Sequence, residues 1–198
     1  MLMAYESENP IYGRVLNPHN LARVAGGSSG GEGALIAAGC SPWGIGSDVG
    51  GSIRIPASFN GIFGFKPSQT RFEWNKNSPA IHCFFNNHLH QDYIKPVAGP
   101  LAKSVNDLKT IMEIIADPSI NQDINHSLPP LTWRKEVTKV QPNQKFKFGY
   151  YNSIDALFET SPANKRAVEE VVQALRQAGH KVVPFSIPSV EDIFSVGL

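Results

Sequence analysis

Three observations predict an α/β fold for this chain. Residues 145–185 run strand, helix, strand, the order of a crossover unit in a sheet with parallel strands. Residues 31–39 read as a short helix of small side chains, able to pack closely against a sheet. With 198 residues, 41% of them hydrophobic, the chain is long and apolar enough to bury the core of one domain.

Taken in order, residues 4–20 are polar, with Asn9-Pro10 and Asn17-Pro18 as turn signals, and read as a loop leading to a first glycine cluster, GGSSGGEG at positions 26–33. The helix over residues 31–39 starts at that cluster and is closed by Gly39, so its N-terminal N–H groups face the serine-bearing turn. A second cluster, GSDVGGSIR, occupies positions 46–54. Residues 60–67, Asn-Gly-Ile-Phe-Gly-Phe-Lys-Pro, are expected to form a buried strand stopped by Pro67. Residues 70–96 are irregular and read as a surface or substrate-side loop, with Phe84-Phe85 as a local apolar anchor. Gly99 and Pro100 are expected to turn the chain into a helix capped by Ser104, with Asp107 three residues on and Leu108, Ile111, Met112 and Ile115 on its apolar face. Residues 117–143, rich in Pro, Asn and Asp, read as peripheral. Residues 145–150 alternate as a strand. Ser161-Pro162 then opens an amphipathic helix through Val168, Val171, Val172, Leu175 and Ala178, ended by Gly179, and residues 180–185 return as a strand. Neither an internal repeat nor a second domain is read from the chain.

Composition removes several function classes. Lys and Arg number 18 against 17 Asp and Glu, and no basic cluster with interleaved aromatics occurs, so a nucleic-acid partner has no electrostatic basis. Cys40 and Cys83 lack the spacing of a zinc site or disulfide framework and read as buried or incidental thiols. His82, His88 and His90 lie in a polar stretch without carboxylates at ligand spacing, so no metal is expected. No apolar run is long enough to span a bilayer, and the first residues lack the basic start and apolar core of a signal peptide. An intracellular, soluble chain is the expectation.

Both glycine clusters carry serines. Glycine lets the backbone turn sharply, expose a hydroxyl and bring its own N–H groups close to a substrate oxygen, which is what acyl transfer needs. In Val49-Gly50-Gly51-Ser52, consecutive small residues could aim several N–H groups just before the hydroxyl, making Ser52 the candidate nucleophile. A Gly-Gly-Ser turn also has a purely structural use, and the residue types alone leave both open. A phosphate-binding loop fits poorly, because GGSSGGEG has glutamate where such a loop needs lysine.

Over residues 5–67 the sequence resembles the amidase signature family, and within it the fatty acid amide hydrolases of the second type. The resemblance rests on Asn17-Pro18-His19-Asn20, GGSSGGEGALIAAG, GIGSDVGGSIRIPA and residues 60–67, with a weaker echo at residues 99–108. It implies a mixed central sheet covered by helices, of which this chain would be a partial domain. It further implies a serine, cis-serine, lysine triad for amide hydrolysis through an acyl-enzyme. Ser52 would be the nucleophile and Ser28, joined through a cis peptide, the bridge that relays its proton. Ser29 would support the network by hydrogen bonding. The N–H groups of Val49, Gly50, Gly51 and Ser52 would form the oxyanion hole, while Asp48 and Arg54 would be structural charges holding the loop. The implied substrate is a small lipophilic amide, with no cofactor, no metal and no nucleic acid. Membrane association would come only through segments outside these residues.

The family's catalytic lysine belongs well upstream of the bridging serine, whereas only 27 residues precede Ser28 and none is a lysine. Lys66 matches a position usually structural, and Lys95 and Lys103 match nothing catalytic. The chain is therefore expected to be an inactive fragment of a serine amidase. The competing reading is a non-catalytic pseudo-amidase whose glycine loops bind rather than cleave.

Overall fold

Burial in this chain centres on Val97–Ala102, six residues that are all buried. The computed structural model describes residues 5–68, 71, 96–119, 132–153 and 159–187, and the chain divides into two compact units between Arg134 and Lys135. In the first unit the elements run β1 (Glu8–Asn9), β2 (Gly13–Arg14), β3 (Leu16–Asn17), β4 (Asn20–Val24), α1 (Gly30–Ala37), β5 (Trp43–Asp48), α2 (Arg54–Asn60), β6 (Phe63–Gly64), β7 (Val97–Ala102) and α3 (Val105–Ile115). The second contains β8 (Lys147–Tyr150), α4 (Pro162–Gln177) and β9 (Lys181–Pro184).

In the first unit β5, β7 and β6 form an antiparallel sheet with β7 in the middle, Trp43 opposite Ala102 and Asp48 opposite Val97. The segment expected to be a turn is thus the central strand, a correction that Pro100 explains. Proline is ordinarily kept out of central strands because it cannot donate to a ladder. Here the Pro100 carbonyl accepts from Phe65 N at 2.9 Å, just past the end of the two-residue β6. A residue's N and C=O leave a strand on the same side, so the missing donor falls at the end of the short edge strand and the ladder with β5 is intact.

Gly99 answers to close approach. A Cβ there would overlap the Phe65 carbonyl oxygen and stand 2.8 Å from Pro67 Cδ. Gly99→Ala is expected to destabilise the first unit by about 1–3 kcal/mol, since backbone atoms cannot yield as a side-chain end can. A urea midpoint equal to that of the wild type would refute this.

Residues 60–67 also depart from the buried strand expected of them. Asn60 ends α2, Gly61 follows in the left-handed conformation at φ 66°, and strand pairing is confined to Phe63–Gly64. Within α2, Pro56 falls in the first turn, where its absent N–H would have had no intrahelical acceptor. Asn60 is fully buried, and its Nδ2 donates to the carbonyls of Pro56 at 2.8 Å and Ala25 at 2.7 Å, tying the helix end to the chain before the first glycine cluster.

Among the described residues the core of the first unit has two clusters. Ile36, Ile53, Ala57 and Leu101 join α1 and α2 to the sheet, and Ala102, Leu108 and Ile111 seat α3. Ser104 caps α3 as expected, its Oγ accepting from Asp107 N at 3.1 Å and donating to the Asp107 carboxylate at 2.7 Å. Residues 4–20, expected to be loop, include the two-residue strands β1, β2 and β3 and the first residue of β4, too brief to leave a readable period. Cys40, expected to be a buried or incidental thiol, is a free and exposed one. The residues named for the expected 70–96 loop, His82, Cys83, Phe84, Phe85, His88, His90 and Lys95, lie outside the described residues. Among the described residues no helix is long and apolar enough to cross a membrane.

In the second unit β8 and β9 are parallel, Lys147 opposite Lys181, with α4 between them in sequence. Ser161 caps α4 by accepting from Asn164 N at 3.4 Å, and Pro162 occupies its first turn. Val172 is buried and Val168 and Leu175 half-buried, whereas Val171 and Ala178 are exposed. The apolar stripe is narrower than expected because a two-stranded sheet covers little of a helix face. Lys145 Nζ donates to the Ala178 carbonyl at 2.7 Å and so caps the helix end.

Candidate active site

One carboxylate organises the loop between β5 and α2. Asp48, the last residue of β5, is fully buried, where an unpaired charge would be very costly. Its Oδ1 accepts from Gly51 N at 2.8 Å and Arg54 Nη2 at 2.9 Å. Its Oδ2 accepts from Ile53 N at 3.1 Å, Arg54 N at 3.2 Å and Arg54 Nε at 3.0 Å. Burial pushes the Asp48 carboxyl up, but the Arg54 guanidinium and the N–H groups of Ile53, Gly51 and Arg54 together outweigh it and hold it below its ordinary 3.8. The same pairing, against desolvation, raises the Arg54 guanidinium. Asp48 and Arg54, expected as structural charges, meet in this bidentate pair.

These bonds bend the chain back onto the residue that ended the strand. Gly51 takes φ 131°, a value side chains rarely adopt, and a Cβ there would stand 2.7 Å from Ile55 Cδ1. Ser52 follows, half-buried at the entry to α2, between two residues whose N–H groups are held by Asp48.

The first serine loop is joined to this one through Ser29. Its N–H donates to the Ser52 carbonyl at 3.1 Å, and its Oγ accepts from Ser47 N of β5 at 3.3 Å. Gly46 makes room: a Cβ on it would lie 2.5 Å from Ser29 Oγ and 2.9 Å from Leu101 Cδ1. The Gly27–Ser28 peptide bond is cis. Ser28 and Ser52 are both half-buried, and among the described residues neither hydroxyl has a hydrogen-bond partner, each other included. The backbones of the two loops are thus brought together while the two hydroxyls are left unbonded. Of the N–H groups expected to receive an oxyanion, that of Gly51 is engaged by Asp48. Those of Val49, Gly50 and Ser52 have no acceptor among the described residues.

Three supporting residues went unassigned in the sequence. Asn17 Nδ2 donates to the Phe59 carbonyl at 2.7 Å, and His19 Nε2 lies 3.1 Å from the Asn60 carbonyl, an acceptor that requires the proton on Nε2. Together they hold the end of α2 remote from Ser52. Their signal was the Asn-Pro-His-Asn motif, legible as part of a resemblance but not as a clamp. The third, Ser7, touches the first serine loop and stands in no motif.

Compared with known proteins, residues 1–198 match the amidase family throughout. The chain belongs to the amidase signature family. Fatty acid amide hydrolase 1 of Caenorhabditis elegans is 38% identical over 199 residues, covering 98% of this chain and 32% of that protein. Fatty-acid amide hydrolase 2-B of Danio rerio is 43% identical over 122 residues, 62% of this chain and 22% of that one. A solved fatty acid amide hydrolase structure superposes with a TM-score of 0.83 at 33% identity, covering 96% of this chain and 32% of its own. The chain spans about a third of the length of the nematode relative and of that structure, and is a part of the α/β amidase signature fold. In this chain Lys103 stands at the far end of α1 from Ser29, its Nζ 3.4 Å from where a Gly39 Cβ would be. An eight-residue helix, about 12 Å long, separates it from the serine loops.

Proposed function

We propose that the chain supplies the serine pair of a serine amidase acting on fatty acid amides or related lipophilic amides. The observation that carries this reading is the direct tie between the two glycine-serine loops, Ser29 N–H to the Ser52 carbonyl, within a whole-chain match to the amidase family. In the proposed reaction Ser52 Oγ attacks the amide carbonyl and its proton passes to Ser28 Oγ, whose own proton passes to a lysine. N–H groups of the loop at Val49, Gly50 and Ser52 receive the oxyanion, with Gly51 joining them if it leaves Asp48. The proton returns through Ser28 to the departing amine as the C–N bond breaks. Water then attacks the acyl-enzyme and releases the acid and free Ser52. In this reading residues 1–198 form a partial amidase signature domain with its signature core at about residues 5–67, and Ser29, Asp48 and Arg54 position the loops.

A second reading, a pseudo-amidase that binds without cleaving, draws on the Ser28 and Ser52 hydroxyls, which have no hydrogen-bond partner among the described residues, and on the remoteness of Lys103 from them. A fluorophosphonate probe followed by peptide mapping separates the two. Slow labelling at Ser52 supports the hydrolase reading, with little amide turnover by the 198-residue chain. A folded chain that binds a long-chain fatty acid amide and takes no label supports the pseudo-amidase. Turnover of that amide by the 198-residue chain, abolished by Ser52→Ala, would show that a lysine upstream of Ser28 is not required.

A further inference from the structure

One hydroxyl from an earlier part of the chain meets the loop that bears Ser28 at three points. Ser7 precedes β1, and its own carbonyl accepts from Val15 N at 2.8 Å, which anchors it to the chain beyond β2. Its Oγ accepts from Gly30 N at 3.0 Å and lies 3.0 Å from the Ser28 carbonyl and 3.1 Å from the Gly26 carbonyl. A serine hydroxyl has one proton to donate and two lone pairs to accept with, so one N–H accepted and one proton shared between two carbonyls suits its capacity. The three groups it touches belong to residues before, at and after Ser28.

Gly30 shows why the contact is needed. It is the first residue of α1, and the first N–H groups of a helix have no acceptor within the helix. Ser29 flanks the helix but makes no side-chain cap, because its Oγ is turned to Ser47. Ser7 takes over the capping function from a residue 23 positions earlier. The fit is close: a Cβ on Gly30 would stand 2.5 Å from Ser7 Oγ and 2.9 Å from Ser7 Cβ.

We infer that Ser7 is a positioning residue for the Ser28 loop, acting through the Gly26 and Ser28 carbonyls and the Gly30 N–H to set where the Ser28 hydroxyl points. A side chain's direction follows its backbone, so fixing the carbonyls of Gly26 and Ser28 restrains the Cα–Cβ bond of Ser28, which lies between them. A proton relay is sensitive to such placement, since reacting groups must be held within about 0.5 Å of the productive geometry. The consequence for chemistry rests on the role proposed for Ser28; the positioning itself does not.

The test uses the 198-residue chain, with Ser7→Ala and the hydroxyl-retaining Ser7→Thr, read by amide exchange in NMR and by fluorophosphonate labelling. In the wild type, Gly30 N–H is expected to exchange more slowly than Gly31 N–H, its neighbour in the same first turn. Ser7→Ala is expected to raise exchange at Gly30 about tenfold, the worth of one hydrogen bond, with β5 and β7 unchanged, and Ser7→Thr to restore protection. Where the wild type takes label at Ser52, Ser7→Ala is expected to slow labelling by about tenfold or more, with Ser7→Thr restoring it. Unprotected Gly30 in the wild type, or faster exchange spread equally over β5 and β7, would overturn the positioning role. A localised loss at Gly30 with unaltered labelling of Ser52, in a chain where Ser28→Ala does slow labelling, would also overturn it. If the wild type takes no label, the function proposed for Ser52 and Ser28 fails instead, and the exchange pattern alone decides for or against Ser7.

Discussion

Ser52→Ala is expected to abolish fluorophosphonate labelling of the chain, since no other hydroxyl in the two loops is assigned as nucleophile. Ser28→Ala is expected to slow it by on the order of 10²-fold or more, the usual contribution of a positioned proton acceptor. The difference in size follows from the roles: one residue forms the bond to phosphorus and the other only takes a proton. Intact-mass measurement of both variants against the wild type, with thermal unfolding to confirm that each is folded, checks the pair. Undiminished labelling of Ser52→Ala would sink the assignment of the nucleophile. An equal rate in Ser28→Ala and the wild type would remove Ser28 from the relay while leaving Ser52 in place. Neither substitution disturbs a hydrogen bond of a described side chain, so a loss of labelling reports on chemistry rather than on the loop's scaffold.

The second large effect is structural and belongs to Asp48. Asp48→Ala would leave the N–H groups of Gly51, Ile53 and Arg54 without their acceptor in a buried loop and the guanidinium without its partner. Breaking a fully buried pair costs roughly 3–5 kcal/mol; Arg54 can rehydrate because its side chain is 56% exposed, so a loss of about 3 kcal/mol is expected. Urea unfolding measures it, and a loss below about 1 kcal/mol, the scale of a surface pair, would contradict the bracing role.

The same residue gives a pH dependence. The Asp48 carboxyl is held below the 3.8 of an unperturbed group, so the unfolded chain takes up its proton first as acid is added. The stabilisation from Asp48 is complete above that value and is lost as pH falls through it toward the folded pKa. Asp48→Asn, which carries no charge to titrate, is expected to flatten the stability curve below about pH 4. An acid limb of the same slope in both proteins would show that other carboxylates dominate it.

Much of this was written in local pattern. Ser104 and Ser161 announced α3 and α4 because an N-cap hydroxyl followed by apolar residues at helical spacing needs only near neighbours to act. The strand, helix, strand order of residues 145–185 likewise announced the parallel pair β8 and β9. What escaped notice was decided by partners far along the chain. β7 looked like a turn because Gly99 and Pro100 are turn residues in isolation; only the position of Phe65 and of the short β6 makes them acceptable in a central strand. α2 was hidden by Pro56 and by a motif that ran on through Asn60, whose side chain is satisfied by Ala25, 35 positions away.

For the site, the chain's own order of residues determined the two glycine-serine loops, their serines and the likeness to amidases, because glycine freedom and a hydroxyl's chemistry are properties of the residues themselves. Tertiary structure alone decided how those loops meet and are held: Ser29 N–H on the Ser52 carbonyl, and Ser7 on Gly26, Ser28 and Gly30. The physical reason is that a hydrogen bond is strongly directional and effective only near 3 Å. Between residues 19 to 23 positions apart, that distance is set by the packing of the sheet and helices and leaves no trace in local spacing.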